Sequence, residues 1–358
     1  MFELGSLPIF FLGANNASGY ISRFSDCFDL QKGWEVWVLK GGPGSGKSTF
    51  MKKAAARLFE MGHTLYIAPC PADPNSLDGV VSESRRLMIL DGTAPHPMDP
   101  PLPGAAGRLI DTGRFWNEKS LSQNREKIAS FSRQNSRLHS RAAGYLAAAA
   151  ALLGESRRMA AEATDLKKAA DFGRALAAKH LPKKGDGAAE QVRFLSGITP
   201  AGVTYYRSSL RKLGLDVFEI VDDYGAASGA VLNSIRQEGL ERGHRIINCR
   251  CPLNPLDKTD HLIFPELRLA FCSVNRYLAS EDTEHRKIHA QRFWDNEAIR
   301  SHRHRLNFNR KAAKELIDCA AALLRDAKSC HDILEQYYVE AMDFDSLNNY
   351  CDSLLAEI

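Results

Sequence analysis

The chain has 358 residues, enough for two domains with separate hydrophobic cores. Its 44% hydrophobic and 25% charged residues are ordinary globular values, which exclude a disordered, collagen-like or coiled-coil chain. The net charge of +4 is too small by itself to indicate a nucleic acid or an acidic membrane surface as partner.

The sequence also carries expectations about location. Its longest apolar stretch, 142–154, is mostly alanine and is shorter than the about 20 residues that span a bilayer, so we expect no transmembrane helix. The first residues have an acidic side chain and no basic one before their apolar run, which is not the pattern of a secretory signal. We expect a cytoplasmic protein whose eight cysteines are reduced thiols.

Short apolar runs alternate with a helical pattern in the first hundred residues. Residues 34–40 form an apolar run that ends at glycines, which predicts a buried strand. Residues 48–61 have helical spacing and stop at Gly62, while 64–68 and 86–90 predict two further strands. This alternation indicates an α/β fold with a parallel sheet whose faces are both covered.

A glycine-rich segment lies between the first predicted strand and helix. It matches the pattern G-x-x-x-x-G-K-[ST] in full and consists of Gly41, Gly42, Pro43, Gly44, Ser45, Gly46, Lys47 and Ser48, followed by Thr49. Glycines let backbone N–H groups approach a phosphate, and the helix directs its positive dipole end at the same anion. We expect Lys47 to contact the β- and γ-phosphates of ATP and Ser48 to ligate Mg²⁺. The alternative is a glycine-rich turn that matches by chance.

Asp91 ends the apolar run 87–90, where a second Mg²⁺ ligand is expected. The alternative is an aspartate that caps the turn before Gly92. No glutamate follows Asp91, so the water-activating neighbour of many motor ATPases is missing, and we expect slow hydrolysis. The proline-rich loop that follows contains His96 and Asp99. His96 is a candidate base or γ-phosphate sensor, or else a histidine hydrogen-bonded within a stiff loop.

A second acidic loop, 73–78, follows the strand predicted at 64–68. It would lie at the carboxyl edge of the sheet, where ligands bind in α/β proteins. Asp73 and Asp78 are therefore weaker candidates for a substrate site, and turn or helix capping is the favoured alternative.

The sequence contains an internal repeat. Helical patterns close both halves, from 121 to about 179 and from 317 to 338, and four short segments recur in the same order. These are 12–19 over 195–202, Gly62-His63 over Gly243-His244, Cys70-Pro71 over Cys251-Pro252, and the RFW of 114–116 over that of 292–294. We infer an ancient duplication. It predicts two tandem P-loop NTPase-like α/β domains, each followed by a long helical hairpin: 1–180 (copy one), an exposed linker at 181–190, and 191–358 (copy two).

The segments LKGGPGSGKSTFMKK, CPADPNSLDGV and ILDGTAPHPMDP, with the repeated RFW, resemble an uncharacterised bacterial family of tandem-repeat P-loop ATPases. The resemblance covers essentially the whole chain, and DGTAPH is its most specific element. It implies ATP binding and a two-copy P-loop fold, without a named reaction.

Copy two lacks the P-loop expected of that family in both copies. Laying the glycine-rich segment over 221–230 puts Asp223 at the first glycine, Gly229 at the lysine and Ala230 at the hydroxyl. The groups that bind phosphate and Mg²⁺ are missing, and Asp222 adds a charge that repels a triphosphate. We predict that copy two keeps the fold without a nucleotide site.

Two further patterns invite other hypotheses. Cys249, Cys251, His261 and Cys272 could ligate zinc, but Cys251 repeats a lone cysteine of copy one, so buried thiols are favoured. Nine Lys or Arg between 285 and 314, interleaved with aromatic residues, could bind a nucleic acid or an acidic partner. A solvated basic face is favoured there, with Phe293 and Trp294 in the core.

Together these patterns predict a Mg²⁺-dependent ATP-binding protein that hydrolyses ATP slowly and gates an unknown protein partner through its helical hairpins. One alternative is a small-molecule kinase whose acceptor is held by the loops at 73–78 and 96–99. Another is an ATP-dependent nucleic-acid-binding protein that uses the basic stripe.

Overall fold

The computed structural model describes residues 3–279 and 285–358, and it contains the same series of elements twice. Copy one comprises β1 (Gly13–Asn16), β2 (Gly19–Ser22), β3 (Glu35–Lys40), α1 (Lys47–Glu60), β4 (Leu65–Pro69), β5 (Leu77–Ser82), β6 (Leu87–Asp91), β7 (Gly107–Asp111), α2 (Glu118–Gln123), α3 (Arg125–Glu162) and α4 (Leu166–His180). Three predicted strands and the first helix are therefore confirmed within a few residues.

Copy two repeats this order with one extra strand at its start and a short helix, α5, before its central strand. It comprises β8 (Ala189–Arg193), β9 (Ser196–Thr199), β10 (Gly202–Tyr205), α5 (Ser208–Lys212), β11 (Asp216–Val221), α6 (Ala226–Glu241), β12 (Arg245–Cys251), β13 (Asn254–Phe264), β14 (Leu269–Val274), β15 (Arg286–His289), α7 (Asn296–Ser301), α8 (Arg303–Glu340) and α9 (Phe344–Ala356). The long third helix of each copy has 38 residues, so the duplication extends to helix length.

Each copy contributes one large sheet. The copy-one sheet has the order β4-β5-β6-β3-β7, and the copy-two sheet has the order β15-β11-β14-β13-β12-β8. The central strand β3 pairs in parallel with β6 and β7, as the alternation of strands and helices predicts. However, β5 runs antiparallel to both of its neighbours, so the sheet is mixed. The connections on either side of β5 are too short for a crossover helix, and only antiparallel neighbours can be joined so directly.

The two sheets pack face to face. Val38 and Leu90 of copy one and Ile263 and Ala270 of copy two belong to the same buried cluster. The prediction of two covered faces is confirmed, but one face of each sheet is covered by the other sheet rather than by helices. Phe11 and Phe194 also exchange two backbone hydrogen bonds, at 2.8 and 2.9 Å. The copies therefore share one continuous core.

The helices cross from one copy to the other, so α3 with α4, and α8 with α9, do not form the predicted helical hairpins. The two long helices, α3 and α8, pack antiparallel, with Arg305 of α8 bonded to Glu155 of α3. The short helix α4 packs on α6 of copy two, where a Cβ on Gly173 would lie 2.6 Å from a backbone oxygen of α6. In the same way, α9 packs on α1 of copy one, and Leu347 and Leu354 enter that core. Each core is thus completed by the last helix of the other copy.

The repeated RFW segment forms the crossing point. Backbone hydrogen bonds link Asn117 to Ala341 and Asp343 to Phe115, at 2.7 and 3.0 Å, and the equivalent bonds link copy two to the α3–α4 turn. Phe293 is buried and Trp294 packs against the same core, as predicted. The predicted linker, 181–190, follows α4, but its last two residues already belong to β8, so copy two begins slightly earlier than predicted. Residues 182–188 of the linker are exposed, but Leu181 is fully buried. In the described part of the chain, no helix is long and apolar enough to cross a membrane.

Candidate functional site

The segment 41–48, here called the glycine loop, joins the end of β3 to the start of α1. Gly44 and Gly46 adopt φ angles of 66° and 78°, a region that other residues enter only with strain. Gly46 is the N-cap of α1, so the first N–H groups of that helix point toward the loop. Strand, loop and helix therefore follow each other as the sequence predicts.

Lys47 is held inside the loop that precedes it. Its Nζ donates to the carbonyl oxygens of Gly41 and Gly42 at 2.9 and 2.7 Å, and it lies 3.6 Å from Oδ2 of Asp91. The lysine is 9% exposed. A nearly buried ammonium beside backbone N–H groups is well placed to bind an anion that enters the loop.

Ser48 and Asp91 lie on adjacent parts of the same edge. β6 is the direct neighbour of β3, with Asp91 opposite Leu39. Oδ1 of Asp91 accepts hydrogen bonds from the backbone N–H and the hydroxyl of Thr93, at 2.9 and 2.6 Å. The hydroxyl oxygen of Ser48 accepts from the N–H of Leu77 at 3.0 Å. Asp91 therefore caps the turn that follows β6, which was the alternative to a Mg²⁺-binding role. Its carboxylate also faces Lys47. Neighbouring Thr49 is exposed.

His96 and Asp78 form a buried pair at this edge, with Nε2 of the histidine 3.5 Å from Oδ2 of the aspartate. Both side chains are at most 5% exposed. The rings of Phe24 and Tyr20 pack against His96, with centroids 5.0 and 5.7 Å away. Burial lowers the pKa of His96, but the hydrogen bond and charge of Asp78, together with the charge of Asp91, outweigh it and raise that pKa above the usual 6.5. Asp78 lies at the start of β5, where the sequence predicts a loop.

This pair predicts a pH-dependent contribution to stability. Because the folded pKa of His96 is raised, its contribution is full below the unfolded pKa of about 6.5 and is lost as pH rises through the folded value. We expect H96Q to lower the free energy of unfolding more at pH 5.5 than at pH 8.5, in urea titrations. H304Q, which removes an exposed histidine, is the matched control. An H96Q effect that is equal at both pH values would contradict the raised pKa.

The other acidic candidates lie further out. Asp73 accepts from the hydroxyl of Ser76 at 2.9 Å and lies 3.5 Å from Lys328 of α8. Asp99 pairs with Lys40 at 3.0 Å, but its side chain is 92% exposed. Asp73 thus contacts the other copy, and Asp99 lies at the surface.

Helices of copy two cover the glycine loop. A Cβ on Gly44 would lie 2.6 Å from Val339 and 3.0 Å from Glu335, both in α8, and one on Gly46 would lie 2.9 Å from Leu347 of α9.

Aromatic side chains from both copies complete this cover. A Cβ on Gly42 would lie 3.0 Å from Tyr338 and 3.2 Å from Trp116, and these two rings contact each other with centroids 5.3 Å apart. The only sequence signal for this cover was the repeated RFW, because contacts across more than two hundred residues leave no local pattern.

The corresponding loop of copy two is two residues shorter. It spans 222–225 and ends at Gly225, whose φ of 78° and ψ of 11° match the 78° and 2° of Gly46. The alignment that places Gly229 at the lysine is therefore wrong: Ala226 and Ala227 stand where copy one has Lys47 and Ser48. The predicted loss of the lysine and the hydroxyl is unaffected.

Asp222 fills the copy-two loop with its own carboxylate. Its two oxygens accept from the backbone N–H groups of Tyr224 and Ser228, at 3.1 and 2.8 Å, and the residue is fully buried. These donors lie in the loop and in the first turn of α6. The carboxylate therefore occupies the helix N-terminus that an anion would otherwise bind.

The cysteines that could ligate zinc are free thiols, and part of the basic stripe is paired with carboxylates. Cys249 and Cys272 are buried, and burial raises the pKa of Cys249 to about 12, which disfavours the thiolate that zinc binds. Within residues 3–279 and 285–358, the group of metal-type ligands that the fold gathers is instead His331, Asp332 and Glu335 on α8. Three cations of the basic stripe pair with carboxylates: Arg286 with Asp216, Arg305 with Glu155 and Lys314 with Asp318. Nucleic-acid binding stays a prediction.

Comparison with protein families, curated proteins and solved structures finds no match to this chain.

Proposed function

We propose that copy one is a P-loop domain that binds one Mg²⁺–ATP and hydrolyses it slowly. The presence of bound nucleotide would be communicated to copy two through the helices that pack on the loop. The observation that carries the proposal is the position of the Lys47 ammonium, bonded to the carbonyls of Gly41 and Gly42 and facing Asp91. That arrangement concentrates positive charge and N–H donors at the start of α1.

The residues present fit a metal-bound triphosphate. Gly44 and Gly46, with positive φ, form a cradle that a side chain would fill, and the N–H groups at the start of α1 would hold the phosphates. The Ser48 hydroxyl and the Asp91 carboxylate are hard oxygen ligands of the kind that Mg²⁺ prefers. The bound ion would neutralise charge on the terminal phosphates, while Lys47 and the loop would orient them.

Glycine-loop occupancy would be sensed through the cover formed by α8 and α9. Glu335, Val339 and Leu347 lie within about 3 Å of where loop side chains would project, so a ligand that shifts the loop must also shift these helices. Because α8 packs along α3, a displacement of α8 would also be transmitted to α3. This is the physical basis for a nucleotide-gated regulator.

The test combines turnover with hydrogen exchange on the full chain. We expect slow phosphate release from Mg²⁺–ATP without any acceptor, and a non-hydrolysable ATP analogue should slow amide exchange in residues 335–347. The same analogue should leave exchange near residues 232–240 of α6 unchanged. Absence of nucleotide binding, or binding without a change in α8 and α9, would contradict the proposal.

We expect D91N to weaken only the Mg²⁺-dependent part of nucleotide binding. Asparagine keeps an oxygen for Thr93 but loses the charge that would act through the ion. The dissociation constant for ATP should therefore change little in excess EDTA, while most of the gain in affinity on adding Mg²⁺ should disappear. D99N, at an exposed carboxylate on the same loop, is the matched control. Equal losses with and without Mg²⁺ would exclude a metal-binding role for Asp91.

A small-molecule kinase is the second candidate, and the buried pair of Asp78 and His96 favours it. An aspartate and histidine beside a phosphate site could accept the proton of an acceptor hydroxyl. Strong stimulation of ADP release by one hydroxyl-bearing metabolite would select this function over slow hydrolysis.

A further inference from the structure

A cavity of about 120 Å³ lies where copy two has lost its phosphate loop. It is bounded by the loop residues Asp223 to Gly225, by the ends of β12 and β14, and by one face of α3 from copy one. The volume is well below the roughly 300–1,000 Å³ of sites for drug-sized ligands. Only a ligand of a few carbon atoms fits this space.

The walls of the cavity are mainly hydrocarbon. Aliphatic side chains from both copies line it: Leu153, Ile198, Val203, Leu253, Leu278 and Ile317. The space is too small and its walls are too apolar for a triphosphate, and Asp222 already occupies the nearby helix N-terminus. The body of a ligand at this site must therefore be apolar.

In the part of the chain that the structure describes, one cation at the cavity has no carboxylate partner. Lys258 is paired with Asp260, and Asp223 lies 3.5 Å from Arg276. Arg157 lines the same cavity, but among residues 3–279 and 285–358 its guanidinium has neither a hydrogen bond nor a carboxylate within 4.0 Å. The charges of Arg157 and Lys258 also repel each other.

At the cavity, α3 presents different side chains from those that α8 presents at the equivalent positions. Counted from the first residue of each 38-residue helix, Gly154 stands where α8 has Asp332. Arg157 likewise stands where α8 has Glu335, the residue against the glycine loop. Copy two thus has room and a positive charge where copy one has a carboxylate.

We propose that this cavity is a second ligand site, which binds a small organic monoanion, a short-chain carboxylate, with its charge on Arg157 and its hydrocarbon on the aliphatic wall. A charge-assisted, two-point contact between guanidinium and carboxylate is the strongest pairing available to Arg157. The proposal does not depend on nucleotide binding by copy one.

The test is calorimetric titration of the full chain with butanoate, and with butanamide as its neutral counterpart. We expect saturable binding of one butanoate per chain and at least about tenfold weaker binding of the amide, since a hydrogen bond to a charged group contributes about 1.5–3 kcal/mol. R157Q should weaken butanoate by a similar factor. R158Q, at the exposed neighbouring arginine, should leave it unchanged.

A second variant keeps Arg157 and fills the space instead. A Cβ on Gly154 meets only Arg158, at 3.7 Å, so G154L is compatible with α3 and should place its side chain in the cavity. We expect G154L to abolish butanoate binding while the thermal midpoint stays at or above that of the parent chain. Butanoate binding that is equal in R157Q and R158Q, that survives in G154L, or that is absent from the parent chain would overturn the proposal.

Discussion

Replacing Lys47 with alanine is expected to reduce ATP affinity by about two to three orders of magnitude and to leave the fold intact. A unit charge at about 4 Å contributes roughly 4 kcal/mol at an effective dielectric constant of about 20, which is nearly three decades of affinity. Part of that is offset because Lys47 already bonds to Gly41 and Gly42 in the free protein.

The matched control is R57A, which removes a positive charge from the exposed last turn of the same helix. Equilibrium titration with a fluorescent ATP analogue compares the two variants, and urea unfolding checks that both are folded. Affinity that falls equally in K47A and R57A would mean that net charge, not the loop, attracts the nucleotide. Unchanged affinity in K47A would remove the site assignment.

The chain is expected to bind one nucleotide, not two, although it contains two copies of the fold. In copy two the Asp222 carboxylate already accepts from the N–H groups of Tyr224 and Ser228, and Ala226 replaces the lysine. A phosphate at about 4 Å from that carboxylate would be repelled by roughly 4 kcal/mol at a dielectric constant of about 20.

Calorimetric titration with a non-hydrolysable ATP analogue measures this stoichiometry. We expect a value near one for the parent chain, near one for D222N, and no measurable binding for K47A. The D222N result follows because neutralising the carboxylate restores neither the two missing loop residues nor the lysine. A value near two, in either the parent chain or D222N, would contradict the loss of the second site.

Local patterns predicted local structure well. The strand at 34–40, the glycine loop and the helix after it are encoded by neighbouring residues, so the sequence alone places Lys47 and Asp91 at one edge. The duplication can be recognised for the same reason, because short segments such as RFW occur in both copies. Such patterns indicate the conformation of a segment, but they do not indicate which distant segments pack against it.

The features that were not predicted depend on long-range packing or backbone geometry. Nothing near α9 in the sequence indicates that Leu347 packs on the glycine loop, because that contact joins opposite ends of the chain. The true counterpart of Gly46 is Gly225, and it is recognised by its positive φ rather than by its neighbours. Asp78 and His96 were each candidates, but their pairing depends on β5 starting at residue 77.

The most direct test of the proposed function is a crystal structure of the full chain grown with Mn²⁺ and a non-hydrolysable ATP analogue. We predict one triphosphate in the glycine loop, in contact with Lys47, and one anomalous Mn²⁺ peak between Ser48 and Asp91. We expect neither feature at residues 222–228, where the Asp222 carboxylate lies. A nucleotide bound elsewhere, or a glycine loop that stays empty at millimolar analogue, would contradict the proposed function.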